Sequence, residues 1–250
     1  MKPIRLVFAV ALLLCLVPVV ASATETEKFH KVVPLAPGGT VTLHNFSGAV
    51  RIVGADVSEV TIDAVRTATR DRLDHITLDV QVSGSTVTIE ANKKEEGWTV
   101  KNDNVVETEF DIQVPKSTRL DLDVFSSSVN VRNVSGEQSI KTFSGAATVE
   151  DGPARLRVKT FSGAINLRLA SSATSPELDL ETFSGSIGIK VPDAAKAALT
   201  FDSFSGQLTS DLPLTLNEQK KGHLKAALNG GDPQREVKLK TFSGNVKIGR

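Results

Sequence analysis

The sequence has almost no cysteine. Among its 250 residues there is one, Cys15, so no disulfide framework can be drawn, and past residue 15 there is no thiol for chemistry. Histidine is scarce as well. His30, His44, His75 and His223 stand far apart, none at the spacing of metal ligands, and without cysteine no zinc motif can be assembled. There is no excess of charge: 29 basic residues balance 29 acidic ones. A nucleic-acid-binding domain is expected to be basic, so nucleic acid is not expected as a partner. There is no G-x-S-x-G elbow and no phosphate-cradling glycine loop. Pro/Ser/Gly linkers and low-complexity stretches are missing too. No catalytic, cofactor-binding or metal-binding residue is predicted.

The first 23 residues have the pattern of a secretory signal. Lys2 and Arg5 form a basic start, Leu6 to Val20 is apolar, and Ala21-Ser22-Ala23 is an A-x-A cleavage site. Leu14 precedes Cys15 where a lipoprotein signal wants a small residue, so lipidation is not expected. Cleavage would start the mature chain at Thr24. Removing Lys2 and Arg5 would leave 27 basic residues of the 29 against 29 acidic ones, close to neutral. No later apolar run reaches the roughly 18 residues that span a bilayer. The expected product is exported to the periplasm, cell surface or medium, with no membrane insertion after cleavage.

What the sequence does have is one phrase, repeated. Thr-Phe-Ser-Gly occurs at 142–145, 160–163, 182–185 and 241–244, with near copies around Phe46, Phe125 and Phe204. The structural repeat is thus carried by Phe46, Phe125, Phe143, Phe161, Phe183, Phe204 and Phe242, and by Gly48, Gly145, Gly163, Gly185, Gly206 and Gly244. From Phe125 to Phe204 the spacings are 18, 18, 22 and 21 residues. A period of roughly 20 residues is the signature of a solenoid, in which each unit is one rung and stacking buries the core.

Apolar residues fall five and three positions before each phenylalanine (Leu156/Val158, Leu178/Leu180) and four and six after it (Ile165/Leu167, Ile187/Ile189). Both flanks alternate with period two and read as strands. Their parities differ, so one inward face needs a one-residue slip near the phrase, and Ser-Gly suits such a bend. Placing the slip at Thr-Phe points both residues inward and gives a buried ladder of phenylalanines about 4.8 Å apart. The rival reading continues the alternation and leaves the rings outside beside the charged positions two and four before them, where an aromatic ladder could bind sugars. Phenylalanine is most often found inside, so the buried ladder is the expectation. Phe242 is expected near the C-terminal end of the stack.

The reading along the chain is all-β: a single-stranded β-solenoid, or β-helix, of roughly 20-residue rungs over 116–250, preceded by a less regular β part over 24–115. Together they are expected to form one elongated domain, 24–250. Between Phe46 and Phe125 there is room for about four rungs, with Val82-Ser83-Gly84 as a worn copy. Between Phe204 and Phe242 there is room for two, with Asn229-Gly230-Gly231 in place of one phrase. Residues 91–104 around Trp98 and residues 218–225 read as exposed loops, and 194–198 as one helical turn at most.

Secreted β-helices include polysaccharide-cleaving enzymes, so paired carboxylates need weighing. Asp121/Asp123 and Asp179/Glu181 each sit two apart on the outward side of a strand. The same positions read Arg157/Lys159 and Lys238/Lys240 in other rungs. Mixed signs on adjacent rungs fit cross-strand charge pairing better than catalysis. The repeated serines recur too evenly to be nucleophiles.

Ala36-Pro37-Gly38-Gly39-Thr40-Val41, Phe46-Ser47-Gly48-Ala49-Val50 and the Ser-Gly rungs that follow resemble the bacterial putative-adhesin family of unknown function, built of toast-rack β-solenoid repeats. The likeness runs over nearly all of the chain after residue 23. It implies a β-solenoid fold and an envelope location, and it supplies no catalytic residues. The expected function is an exported, non-catalytic envelope protein, adhesin-like or an interaction scaffold, with an envelope protein or a glycan as partner. The alternatives are a carbohydrate-active β-helix enzyme (lyase or hydrolase) and a sensor module of envelope stress.

Overall fold

A computed structural model describes residues 23–98, 105–232 and 234–250. The expected leader with its cleavage site up to Ser22, and Cys15, lie outside the described residues. The N-terminal part comprises β1 (Thr24–Pro34), β2 (Thr40–Ala55), β3 (Glu59–Thr69), a short helix α1 (Arg70–His75), β4 (Ile76–Ser83), β5 (Thr86–Lys94), β6 (Glu107–Pro115) and β7 (Arg119–Arg132). Three regular rungs follow, each a pair of strands: β8 (Gln138–Ser144) with β9 (Ala147–Gly152), β10 (Arg155–Ser162) with β11 (Ile165–Leu169), and β12 (Glu177–Ser184) with β13 (Ile187–Lys190). Then come β14 (Ala197–Ser203) and β15 (Leu208–Ser210), a hairpin of β16 (Leu214–Lys220) and β17 (His223–Leu228), and finally β18 (Glu236–Ser243) with β19 (Val246–Gly249).

All these strands belong to one continuous sheet, folded into two layers. In the front layer the order is β4, β5, β2, β7, β8, β10, β12, β18, β14, β17, β16. In the back layer it is β1, β3, β6, β2, β7, β9, β11, β13, β19, β15. Strands β2 and β7 are long enough to serve both. The rungs pair in parallel and in register, Leu156 on Leu178 in front and Ile165 on Ile187 behind, with one shift between Arg168 and Leu169 where β11 pairs β9. Their inward residues meet in a single core that includes Leu156, Val158, Leu180, Ile165, Leu167 and Ile189. The alternation in the sequence is therefore the alternation of in and out.

The turn from front to back layer is where the phrase sits. Its threonine points inward: Thr142, Thr160, Thr182 and Thr241 are buried. Its phenylalanine does not, which overturns the expectation of a buried ladder. The slip falls after the ring, at Ser-Gly, so phenylalanine and serine are both exposed and the back strand resumes with the next inward residue. The glycine decides the matter. A Cβ on Gly163 would overlap the carbonyl oxygen of Gly145 one rung away, and one on Gly185 would overlap that of Gly163. Backbones of successive rungs touch at this corner, and no inward space remains for a ring. The buried threonine hydroxyls lie against the same backbone: that of Thr182 donates to the Gly163 carbonyl at 3.3 Å.

Other expectations change as well. Phe46 and Phe125 belong to neighbouring rungs, with no four-rung interval between them; residues 59–98 and 105–115 instead build an end cap of mixed antiparallel and parallel pairing. Val82-Ser83-Gly84 enters the tight turn of the antiparallel β4–β5 hairpin and is no copy of the phrase. Residues 218–225 are strand and turn of the β16–β17 hairpin, which closes the opposite end. Asn229-Gly230-Gly231 forms the left-handed turn after it. Residues 194–198 contain no helix; α1 is the helix among the described residues, and it stands at an unexpected place. Most consequential, β18–β19 does not stand at the end of the stack. It is inserted between β12–β13 and β14–β15, so Phe242 precedes Phe204 in space.

Candidate functional site

Seven phenylalanine rings line the edge of the front layer. Their order is Phe46, Phe125, Phe143, Phe161, Phe183, Phe242, Phe204. Centroids are 4.7 to 4.9 Å apart, and from Phe125 onward neighbouring planes lie within 6° of parallel. Only the Phe46–Phe125 step is splayed, at 18°. The spacing is that of adjacent strands, so six steps carry the ladder roughly 29 Å. The first six rings are 42–47% exposed and Phe204, at the end, is 75% exposed. Each inner ring has a neighbour on both faces. What meets solvent is the ring edge, the positive side of the aromatic quadrupole.

One strand position inward along the outer face, two residues before each ring, runs a column of charge: His44, Asp123, Lys141, Lys159, Glu181, Lys240, Asp202 in spatial order. Lys159 and Lys240 donate to opposite oxygens of Glu181, at 2.8 and 3.3 Å. His223 of the end hairpin contacts Asp202 at 2.6 Å. Hydrogen bonding to Lys159 holds the Glu181 carboxyl below its ordinary value, and Lys159 in turn is raised by that bond. In the next column, Arg157 contacts Asp179 at 3.0 Å; in the one after, Arg155 contacts Glu177 at 2.9 Å and holds it low. On the other side of the rings the serines of the phrase form a hydroxyl edge. Rings and charges together line an open groove of about 930 Å³.

The sequence-stated carboxylate pairs are thus placed. Asp179 and Glu181 are each tied to a basic residue on the neighbouring rung. Asp121 and Asp123 lie on the same outer face one strand from Ser139 and Lys141. The histidines are scattered, and each faces a carboxylate: Asp63, Glu90, Glu95 and Asp202 respectively. Among the described residues no three His, Cys, Asp or Glu side chains are grouped to hold a metal ion.

A family model described as Toastrack DUF4097 matches residues 122–249, just over half of the chain. The chain belongs to this family. The match begins in β7 and takes in every regular rung of the toastrack. Among solved structures, a "putative cell adhesion protein" from Clostridium sporogenes is similar at 11% identity and a TM-score of 0.48, covering 89% of this chain and 99% of that one. A "putative adhesin" from Bacteroides fragilis is similar at 12% identity and a TM-score of 0.38, with 89% and 97% covered. A "putative lipid binding protein" from Parabacteroides distasonis has 10% identity and a TM-score of 0.29, with 88% and 96% covered. No curated protein matches the chain.

Proposed function

We propose that this toastrack protein is an exported, non-catalytic, adhesin-like module of the cell envelope, and that the phenylalanine face is its contact surface. The observation that carries the reading is the exposure of the rings. A continuous apolar strip roughly 29 Å long is kept on the outside, although the corner beneath it is held by threonine, glycine and backbone. The rings add stacking to the fold, and their exposed edges, repeated at every rung, also offer a contact surface. The edge-on presentation also bears on the partner. Sugars stack on aromatic faces, and the inner faces here are occupied by neighbouring rings. An apolar protein surface suits the strip better than a glycan.

The hydrolase reading gains no support from the carboxyls with resolved shifts. A glycosidase needs one carboxyl with a raised pKa as general acid. The carboxyls with resolved shifts, Asp79, Glu177, Glu181 and Glu218, are all held low by hydrogen bonds from basic neighbours, led by Lys93, Arg155, Lys159 and Lys220. Two experiments test the proposal. Sequencing of the exported protein should find Thr24 first and no lipid, and a modified Cys15 would refute this part. In binding to immobilised envelope preparations, replacing Phe143, Phe161 and Phe183 together by serine should cost at least about tenfold in affinity. Equal retention of that variant and the wild type, both checked by circular dichroism, removes the phenylalanine face from the function.

A further inference from the structure

We infer that the occupant of the phenylalanine face is a second copy of the same chain, docked front to front with its stack running in the opposite direction. This rests on the reading of that face as a contact surface and names its partner. Two observations carry it: a match of period and a match of charge.

A rigid strip of ring edges repeating at 4.7–4.9 Å is met in register along its whole length only by a surface with the same repeat. Another front face is such a surface. A two-fold axis parallel to the strands keeps ladder on ladder and charge column on charge column, and reverses their order. Self-complementarity then means that each residue meets its mirror position in the series. The middle ring is Phe161, and with the axis there Phe46 meets Phe204, Phe125 meets Phe242 and Phe143 meets Phe183.

In that register the charge column reads against itself with opposite signs. Asp123 meets Lys240, Lys141 meets Glu181, and His44 meets Asp202. Lys159 meets its own copy on the axis, where Glu181 already neutralises it at 2.8 Å. Asp123 and Lys141 make no ion pair within the chain among the described residues, and the docking supplies one to each. The next column agrees: Asp121 meets Lys238, Ser139 meets Asp179, Thr42 meets Thr200, and Arg157 on the axis is neutralised by Asp179. Moving the axis by half a rung in either direction sets Lys141 against Lys159 or against Lys240, and Asp123 against Glu181 or against Asp202. Charge therefore selects one register. One column further out the match is mixed, Arg119 meeting Glu236 but Glu137 meeting Glu177, so the full charge match covers the ladder and the two columns beside it. That strip is about 29 Å by roughly 13 Å, small beside the usual area of about 800 Å² per partner. The dimer is accordingly concentration-dependent and weakened by salt.

Sedimentation velocity of the exported protein over a concentration series tests this. The wild type should move from monomer to dimer, with the midpoint rising as salt is added. Asp123→Lys or Lys240→Asp alone should weaken the dimer at least about tenfold, and the two combined should restore it, since the reversed pair is again opposite in sign. Register is read by oxidation of cysteine variants after leader removal: Phe161→Cys should cross-link to itself. Phe46→Cys and Phe204→Cys should cross-link to each other and not to themselves. A wild type that stays monomeric throughout, or a double reversal no better than the singles, overturns the inference. If the wild type is monomeric yet the serine variant still loses envelope binding, the face keeps its contact role and the self-docking is wrong.

Discussion

The front and back layers of this protein are built by the same rungs and end differently on the outside. Both pair in parallel, hold register and bury alternating aliphatic residues in a shared core. The outer face of the back layer carries Asn130, Thr148, Asn166 and Gly188 in one column and the charged Arg132, Glu150, Arg168 and Lys190 in the next, with Arg132 and Arg168 both on Glu150; among the described residues these regular rungs add no aromatic ring there. The back layer shows a rung stacking on an apolar inner face and a column of cross-rung charge pairs, with no ring. The phenylalanine column goes beyond these. Comparing the two layers separates the residues that make the fold from those that make a surface.

The comparison can be broken first at the corner that both layers share. Gly163→Ala places a methyl group on the Gly145 carbonyl, and backbone held in both layers of the sheet cannot move aside. The expected loss is on the order of 3 kcal/mol or more, read by denaturant unfolding; a neutral substitution would show that the rungs are not in contact there. Next come the rings. Phe161→Ala removes a half-exposed side chain with two stacked neighbours, and the expected cost is roughly 1–2 kcal/mol. Phe204→Ala, with one neighbour and three-quarters exposed, should cost less than about 1 kcal/mol. If the two cost the same in thermal melts, the stacking is not what holds the rings.

A smaller effect is expected from acid. The folded-state pKa of Glu181 is depressed, first by the hydrogen bond from Lys159. Its stabilising contribution is present above the ordinary carboxyl value of 4.5 and is lost as pH falls through the lower folded value. The melting temperature should therefore decline below that point, and Glu181→Gln should flatten part of the decline. The smallest effect belongs to the back face: Asn166→Ala should stay within about 0.5 kcal/mol of the wild type. A larger loss there would mean that the back face is also in use.

Much of this architecture was legible in the sequence. The spacing of Phe125, Phe143, Phe161 and Phe183 set the rung length, and Leu156/Val158 with Ile165/Leu167 marked two inward strands per rung. The charges at Lys159 and Glu181 implied pairing across rungs. The side taken by the phenylalanines was not legible, because a one-residue slip satisfies the alternation equally well before or after the ring. The choice is made by a contact between Gly163 and Gly145, eighteen residues apart, which no local pattern records. The cap was misread for a related reason. Spacing alone counts residues between Phe46 and Phe125, and cannot tell four stacked rungs from an excursion that returns to the same edge.

The insertion of β18–β19 also imposes an order in time. Residues 197–210 are made before residues 236–249, yet the later pair lies nearer the middle of the stack. Until it arrives, the edge of β12 stands open. The strand already made is β14, with the same alternation and a phenylalanine at the same place. Docked there, Phe204 would sit on Phe183 in a rung that satisfies every local rule. A chain caught in that rung has to release it before the later pair can enter. Near-identical repeats thus carry a kinetic cost: the chain offers its own decoy, and refolding should include a slow phase that disappears when residues 236–249 are deleted.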